Sequence, residues 1–356
     1  ESADQQAVPV AAPAGATPVN KKDDGFWGNT ITVINNIADK VLNLTLKDVK
    51  IDVSDTGDQY DWDQKGKAAL SVQGKGNVEI ELDGDNELKS GADRAGLEKN
   101  TSEGTLTLKD DNKDGSLKAT GGDSGAGIGG GREGKGENIT ITGGHVSATG
   151  HYGAAIGGGR WCHGKNITIT DATLNLSTNY RSNGSDAAAV GYGDIVYKPD
   201  ELVADPSIAT NDRIKVGSKD GKIVMLTANG YALRTDGKPS YFMHLTDFLI
   251  PDSDGMIDLS LLTLPYTQNY GWAITDLDVK MMETSCEGNH TYGWKNRNGC
   301  HVWGCTRCPA RNPLERGPVP DGEHIPGEWE NQEKKCTVCG HKLMKDTTPP
   351  VIEGIA

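Results

Sequence analysis

Hydrophobic and polar positions alternate in short runs between about residues 30 and 195, and the runs return at a nearly fixed interval. Gly125-Ala126-Gly127-Ile128-Gly129-Gly130-Gly131-Arg132 recurs 28 residues later as Gly153-Ala154-Ala155-Ile156-Gly157-Gly158-Gly159-Arg160, and Asn138-Ile139-Thr140-Ile141-Thr142 recurs at the same offset as Asn166-Ile167-Thr168-Ile169-Thr170. Weaker copies run back through Thr105-Leu106-Thr107-Leu108 and Asn77-Val78-Glu79-Ile80 to Asn43-Leu44-Thr45-Leu46, with steps of 34, 28, 33 and 28 residues along the series. A second apolar pair precedes this strand as Ala69-Leu70, Gly96-Leu97, Gly127-Ile128, Ala155-Ile156 and Ala189-Val190. A third strand follows it at Val49/Ile51, Leu117/Ala119, Val146/Ala148 and Leu174/Leu176. Three short strands per repeat, separated by Gly, Asn and Asp turns, describe a three-faced solenoid. The fold expected over residues 26–200 is an all-β, right-handed parallel β-helix.

Each coil of such a solenoid can bury its inward Ile, Leu and Val only against the coils above and below, so both ends need caps. Residues 201–282 keep the alternation but lose the interval and bring in Tyr241, Phe242, Met243 and Phe248, which predicts an irregular β cap. Residues 1–25 are rich in Ala, Pro and Val without periodicity and read as a linker or extended lead-in. The recurring Asn suits a left-handed turn position, where its amide can bond along a stack of identical residues. The glycine tracts lead into β-patterned segments rather than a helix, which argues for corners with close backbone approach and against a phosphate loop.

Composition supports a thin, repetitive core, since 47 glycines and only 3 Phe stand among 356 residues. The formal net charge of −14 opposes a nucleic-acid backbone or an anionic membrane as partner, and no apolar run is long enough to insert in a bilayer. An acidic balance serves solubility or the holding of Ca²⁺.

In register, Arg132 and Arg160 fall on successive coils about 4.8 Å apart, where two guanidinium groups repel unless an anion or an acidic neighbour such as Glu133 compensates them. Trp161, Tyr152, Tyr180 and Tyr192 gather nearby, and aromatic faces stack on the C–H surfaces of sugars, although packing at the end of a coil also explains them. The combination of GAGIGGG, then the NITITGG strand, then GAAIGGG resembles β-helical segments of large surface proteins from gut-dwelling Gram-positive bacteria. The resemblance covers about residues 30 to 200 and implies a secreted or cell-surface module that binds polysaccharide or glycoprotein glycans of host or plant origin, carried on a longer chain. It implies no lyase or hydrolase motif. An enzyme needs two converging carboxylates, for which Asp171, Asp186 and Asp194 are the candidates. An adhesin spacer or stalk is the remaining alternative. Asp346 to Ile352 resembles the opening strand of an Ig-like repeat, which assigns residues 346–356 to a following domain or linker.

Six of the seven cysteines cluster between 286 and 339, interleaved with His290, His301, His324 and His341. Cys305, Cys308, Cys336 and Cys339 form two CxxC pairs at the spacing of a four-cysteine Zn²⁺ ribbon, and Cys286, His290, Cys300 and His301 offer a second site. Residues 283–345 are therefore expected to form a small Cys/His-rich module held by structural zinc. Disulfides are the competing explanation in an oxidising setting. The run from His290 to Trp294 is echoed from His324 to Trp329, ahead of Cys336-Thr337-Val338-Cys339-Gly340, in the manner of short His-Trp-CxxCG repeats. Cys162 stands apart inside a repeat and reads as a buried or unpaired thiol rather than a nucleophile.

Overall fold

A computed structural model describes residues 22, 24–61, 63–101, 103–178, 187–193, 214–217, 223–233, 239–250, 256–258, 272–282, 286, 290–297, 300–310, 322–330 and 333–345. Among these the chain is all β. The first coil contains Ile31–Asn35 (β1), Val41–Lys47 (β2) and Lys50–Asp52 (β3), and the second Leu70–Gly74 (β4), Asn77–Asp83 (β5) and Asp85–Lys89 (β6). The third contains Leu97–Glu98 (β7), Leu106–Lys109 (β8) and Ser116–Thr120 (β9), and the fourth Ile128–Gly129 (β10), Gly136–Ile141 (β11) and His145–Gly150 (β12). The fifth contains Ile156–Gly157 (β13), Gly164–Thr170 (β14) and Thr173–Thr178 (β15), after which Val190–Gly191 (β16) and Ile214–Gly217 (β17) begin another turn. Corresponding strands pair in parallel to give three faces, β1-β4-β7-β10-β13-β16, β2-β5-β8-β11-β14-β17 and β3-β6-β9-β12-β15. This is the parallel β-solenoid that the 28-residue interval predicts.

Burial follows the alternation. Ile128 pairs with Leu97 and Ile156, and Ile139 with Leu106 and Ile167, so like side chains stack along the axis. Ile128, Ile139, Ile141, Ile156, Ile167 and Ile169 are all buried in one continuous core. Each contributes about 1.5–3 kcal/mol relative to exposure.

The first coil departs from the expected register: Val41, not Asn43, lies opposite Asn77, and Leu44 opposite Ile80. The two-residue offset keeps the same side chains inward, which is why the pattern alone could not see it. The third face also has a member that alternation misses. Asn86 stands opposite Leu117 at an inward position with 2% of its surface exposed. Its amide donates to the Leu46, Asp83 and Ser116 carbonyls and its oxygen accepts from the Val49 N–H, so the buried group is satisfied across three coils.

The corners use left-handed residues. Asp48, Gly84, Gly144 and Asp171 each have positive φ between the second and third strands of their coils. Asn138 (φ 56°) and Asn166 (φ 54°) take the expected left-handed conformation, but inside β11 and β14, where the strand pairing skips them, and not in a turn ahead of the strand; Asn166 Nδ2 donates to Asn138 Oδ1 at 2.9 Å. The glycine tracts serve close approach, since a Cβ on Gly159 would collide with the Gly131 carbonyl of the preceding coil.

The parallel stack ends in antiparallel strands. Ile223–Leu233 (β18), Pro239–Leu249 (β19) and Trp272–Met282 (β21) extend the third face in the order β15-β21-β18-β19, and Met256–Asp258 (β20) pairs with β17 on the second. Val224, Leu226, Leu249, Leu277 and Val279 join the same core, which makes this segment the predicted β cap. Two small antiparallel sheets follow. Tyr292–Arg297 (β22), Cys300–Cys305 (β23) and Gly322–Glu323 (β24) form one, and Pro326–Glu330 (β25), Glu333–Cys336 (β26) and Lys342–Lys345 (β27) the other. No helix is long and apolar enough to cross a membrane among the described residues.

Candidate ligand corner and candidate metal centres

The first-face strands of coils three to five are two residues long, so the corner loops on either side of them come together. Arg132, Arg160, Trp161 and Tyr152 meet there. The Arg160 guanidinium lies over the Tyr152 ring at 4.2 Å and over Trp161 at 4.7 Å, and Arg132 lies over Trp161 at 5.0 Å. The two arginines hold equivalent positions: the Arg132 N–H donates to the Asp93 carbonyl and the Arg160 N–H to that of Ser124, one coil earlier in each case. Trp161 has φ 66° and its counterpart Glu133 φ 56°, so a bulky side chain occupies a left-handed corner that disfavours it.

Arg132 has the kind of acidic neighbour that the register called for: its side chain, 8% exposed, lies 3.8 Å from Glu133 and also 3.6 Å from Asp93 (5% exposed). One expectation changes, because the rings do not form a bare platform: guanidinium groups lie over them. Tyr192 is buried, with its ring 6.4 Å from that of His163. Asp171 occupies the turn between β14 and β15. Asp186, Asp194 and Tyr180 lie outside the described residues, as do residues 346–356 and most of 1–25.

Charged groups beside this corner escaped the sequence reading. Lys99 is 2% exposed and donates to the carbonyls of Thr101, Glu103 and Glu137 at 2.6, 3.3 and 2.8 Å. Burial pushes its ammonium down to about 8, against the opposing charge of Glu137. The Glu137 carboxylate lies 2.8 Å from His163 Nε2, and burial holds His163 below its usual value although that contact opposes it. Stepping Arg132 back one coil in the register of Leu97 and Ile128 reaches Thr101, so Asp93, which lies on the other side of the first-face strand, is not found that way.

The cysteines are partitioned differently from the four-cysteine ribbon. Cys305 and Cys308 join Cys286 and His290 in one cluster, and Cys336 and Cys339 join His324 in another, with donor atoms in each within 4.8 Å of one another. The side chains of Cys300 and His301 lie outside the described set; their backbones pair with Arg297 and Asn296 between β23 and β22. The two clusters share a backbone plan. Cys305 N–H donates to Ala310 O and Cys336 N–H to His341 O, while Thr306 N–H donates to Thr291 O and Thr337 N–H to Ile325 O. Lys295 on β22 clamps the first knuckle by donating to the Cys305 and Cys308 carbonyls at 3.0 and 3.1 Å.

Donor separations test whether these clusters fit a metal. A tetrahedron with Zn–S near 2.3 Å and Zn–N near 2.0 Å has S–S edges of about 3.8 Å and S–N edges of about 3.5 Å. Cys286 and Cys305 sulfurs are 3.7 Å apart, Cys308 Sγ is 3.6 Å from His290 Nδ1, and Cys339 Sγ is 3.4 Å from His324 Nδ1. The electrostatics agree. Burial raises the Cys305 thiol, but backbone N–H groups of Arg307, Thr291 and Cys308 and the His290 ring outweigh it and bring it to about 5. Burial and the neighbouring sulfurs push Cys308 up to about 11. Thiolates this close repel unless a cation lies between them. Both clusters can hold a metal ion.

Comparison with family models, with curated proteins and with solved structures gives no match. Site chemistry therefore carries the functional argument.

Proposed function

We propose that the chain is an extracellular carbohydrate-binding module of a Gram-positive bacterial surface protein. In this reading the β-solenoid presents an acidic-glycan site at its first-face corner, and structural zinc holds the C-terminal module. The observation that carries the binding reading is the Tyr152–Arg160–Trp161–Arg132 ladder, with Trp161 kept in a left-handed conformation that costs on the order of 1–3 kcal/mol. Strain of that size is retained where the surroundings fix it, and such positions concentrate at ligand sites. With the ring faces covered and the Arg132 side chain only 8% exposed, the ligand group offered in this reading is the edge of the Arg160 guanidinium, which favours carboxylated or sulfated sugars over neutral ones. Donor separations support zinc over other ions in the Cys/His clusters, because thiolate and imidazole in a tetrahedral set are zinc's ligands, whereas Ca²⁺ takes oxygen.

A stalk is the second reading, favoured by the neutralisation of Arg132 by Asp93 and Glu133. A glycan array probed with the full chain separates them. Binding confined to acidic glycans supports the module, a blank array supports the stalk, and release of reducing sugar would replace both with an enzyme.

A further inference from the structure

The two Cys/His clusters sit on two sheets, but the chain does not divide cleanly between them. Cys305, a donor of the first cluster, ends β23, and at the other end of that strand Cys300 and His301 pair with Glu323 and Gly322 of β24. His324, a donor of the second cluster, is the next residue after β24. The strand that delivers His324 to Cys336 and Cys339 is therefore the third strand of the first cluster's sheet.

A side-chain contact acts at the same point. His324 Nε2 lies 2.8 Å from Asn296 Oδ1 on β22, and His324 Nδ1 lies 3.4 Å from Cys339 Sγ. An imidazole that ligates a metal through one nitrogen is characteristically oriented by a hydrogen-bond acceptor on the other. Asn296 follows Lys295, whose ammonium holds the Cys305 and Cys308 carbonyls at 3.0 and 3.1 Å. Adjacent residues of one strand thus reach both clusters. Across β22 and β23, Trp294 and Trp303 pack edge to face at 5.3 Å, and both are only half-buried. A sheet so thinly covered takes much of its order from a bound ion, because structural zinc supplies folding energy directly.

We infer that the two metal clusters are coupled through β22 and β24. An ion at Cys286, His290, Cys305 and Cys308 fixes the first sheet, and that sheet presents His324 to Cys336 and Cys339, with Asn296 as the positioning residue. The first ion therefore tightens the binding of the second, whatever completes the second coordination shell. The inference rests on the zinc reading of the module.

The test is a competitive titration of Co²⁺ into the metal-stripped, reduced full chain, read by visible absorption. Two Co²⁺ should bind, in two steps. Cys339→Ser should keep one Co²⁺ at the strength of the first step, which assigns that step to the first cluster. Cys305→Ser combined with Cys308→Ser should bind its single Co²⁺ about tenfold or more below the native second step. Asn296→Leu should weaken the second step by about 10- to 100-fold and leave the first unchanged. Asn296→Asp, which keeps an acceptor for Nε2, should restore the second step. Binding in the double variant as tight as the native second step would overturn the coupling while leaving the zinc reading standing. So would an Asn296→Leu variant whose second step is unchanged, or whose two steps fall together. No bound Co²⁺ in the reduced protein would remove both readings.

Discussion

Replacing Ile141 tests the solenoid at its densest point. The side chain is fully buried on β11, between Leu108 of the coil before and Ile169 of the coil after, both of them also fully buried. Ile141→Ala deletes three carbons, worth about 2.4 kcal/mol at roughly 0.8 kcal/mol each. The cavity term for a site closed by neighbouring coils brings the expected loss to about 3–4 kcal/mol. Ile141→Val should cost about 1 kcal/mol. Thr140, one residue away on the outward face between Thr107 and Thr168, is the control, and Thr140→Ala should change stability by less than about 0.5 kcal/mol. Urea melts followed by far-ultraviolet circular dichroism give the differences, and the summed emission of the seven tryptophans, Trp161 among them, gives a second signal. Because each coil rests on its neighbours, both signals should move together for Ile141→Ala. Equal losses for Ile141→Ala and Thr140→Ala would refute the inward and outward assignment of the whole second face.

Three further outcomes follow from the structure. Gly157 has φ 139° and a Cβ there would meet the Gly191 carbonyl, so Gly157→Ala should cost about 3 kcal/mol, whereas Gly25→Ala, also at positive φ but with nothing within 4 Å, should show only the smaller backbone strain in the same melts. Lys99 is lowered in the fold to about 8 from 10.5, so between those values the unfolded chain binds more protons and stability should rise with pH; Lys99→Met should remove that increment when urea midpoints at pH 7.5 and 9.5 are compared, and an unchanged increment would exclude Lys99 as its source. Chelation of reduced protein should release zinc and increase hydrogen exchange across residues 286–345 while leaving exchange in the solenoid core unchanged, and protection lost equally in both would contradict the local role of the metal.

Much of this architecture is legible in the sequence because a solenoid writes its geometry as an interval. Ile128 and Ile156, or Ile139 and Ile167, announce their pairing by identity at a constant offset, and Asn138 and Asn166 announce both a left-handed residue and an amide ladder. The first coil is harder to read, because Val41, Asn43 and their neighbours satisfy the alternation equally well two residues apart. Asn86 is invisible to a hydrophobic pattern, being a polar side chain whose burial depends on carbonyls supplied by other coils. The corner contacts escape for a related reason. Lys99 and Glu137 are distant in sequence and meet only after coiling, and Arg132 meets Asp93 only when the preceding coil is in place.

The Cys/His module shows how spacing can mislead. The two CxxC pairs have the separation of one four-cysteine site, yet β22–β24 and β25–β27 close as separate sheets and each pair finds its own histidine. The echo between the runs at His290 and His324 was the better signal, since a duplicated His-hairpin-CxxC unit carries its ligands with it.

The functional claim rests on an acidic saccharide meeting the Arg160 guanidinium edge at the first-face corner, and a calorimetric titration addresses it most directly. Oligogalacturonate, a sulfated oligosaccharide and a neutral oligosaccharide of equal length would each be titrated into the intact chain and into Arg160→Gln. The account predicts binding of at least one acidic ligand and none of the neutral one, with a loss of about tenfold or more in Arg160→Gln, the value of one charge-assisted hydrogen bond. Binding that is identical in the variant, or equal for neutral and acidic sugars, would contradict it.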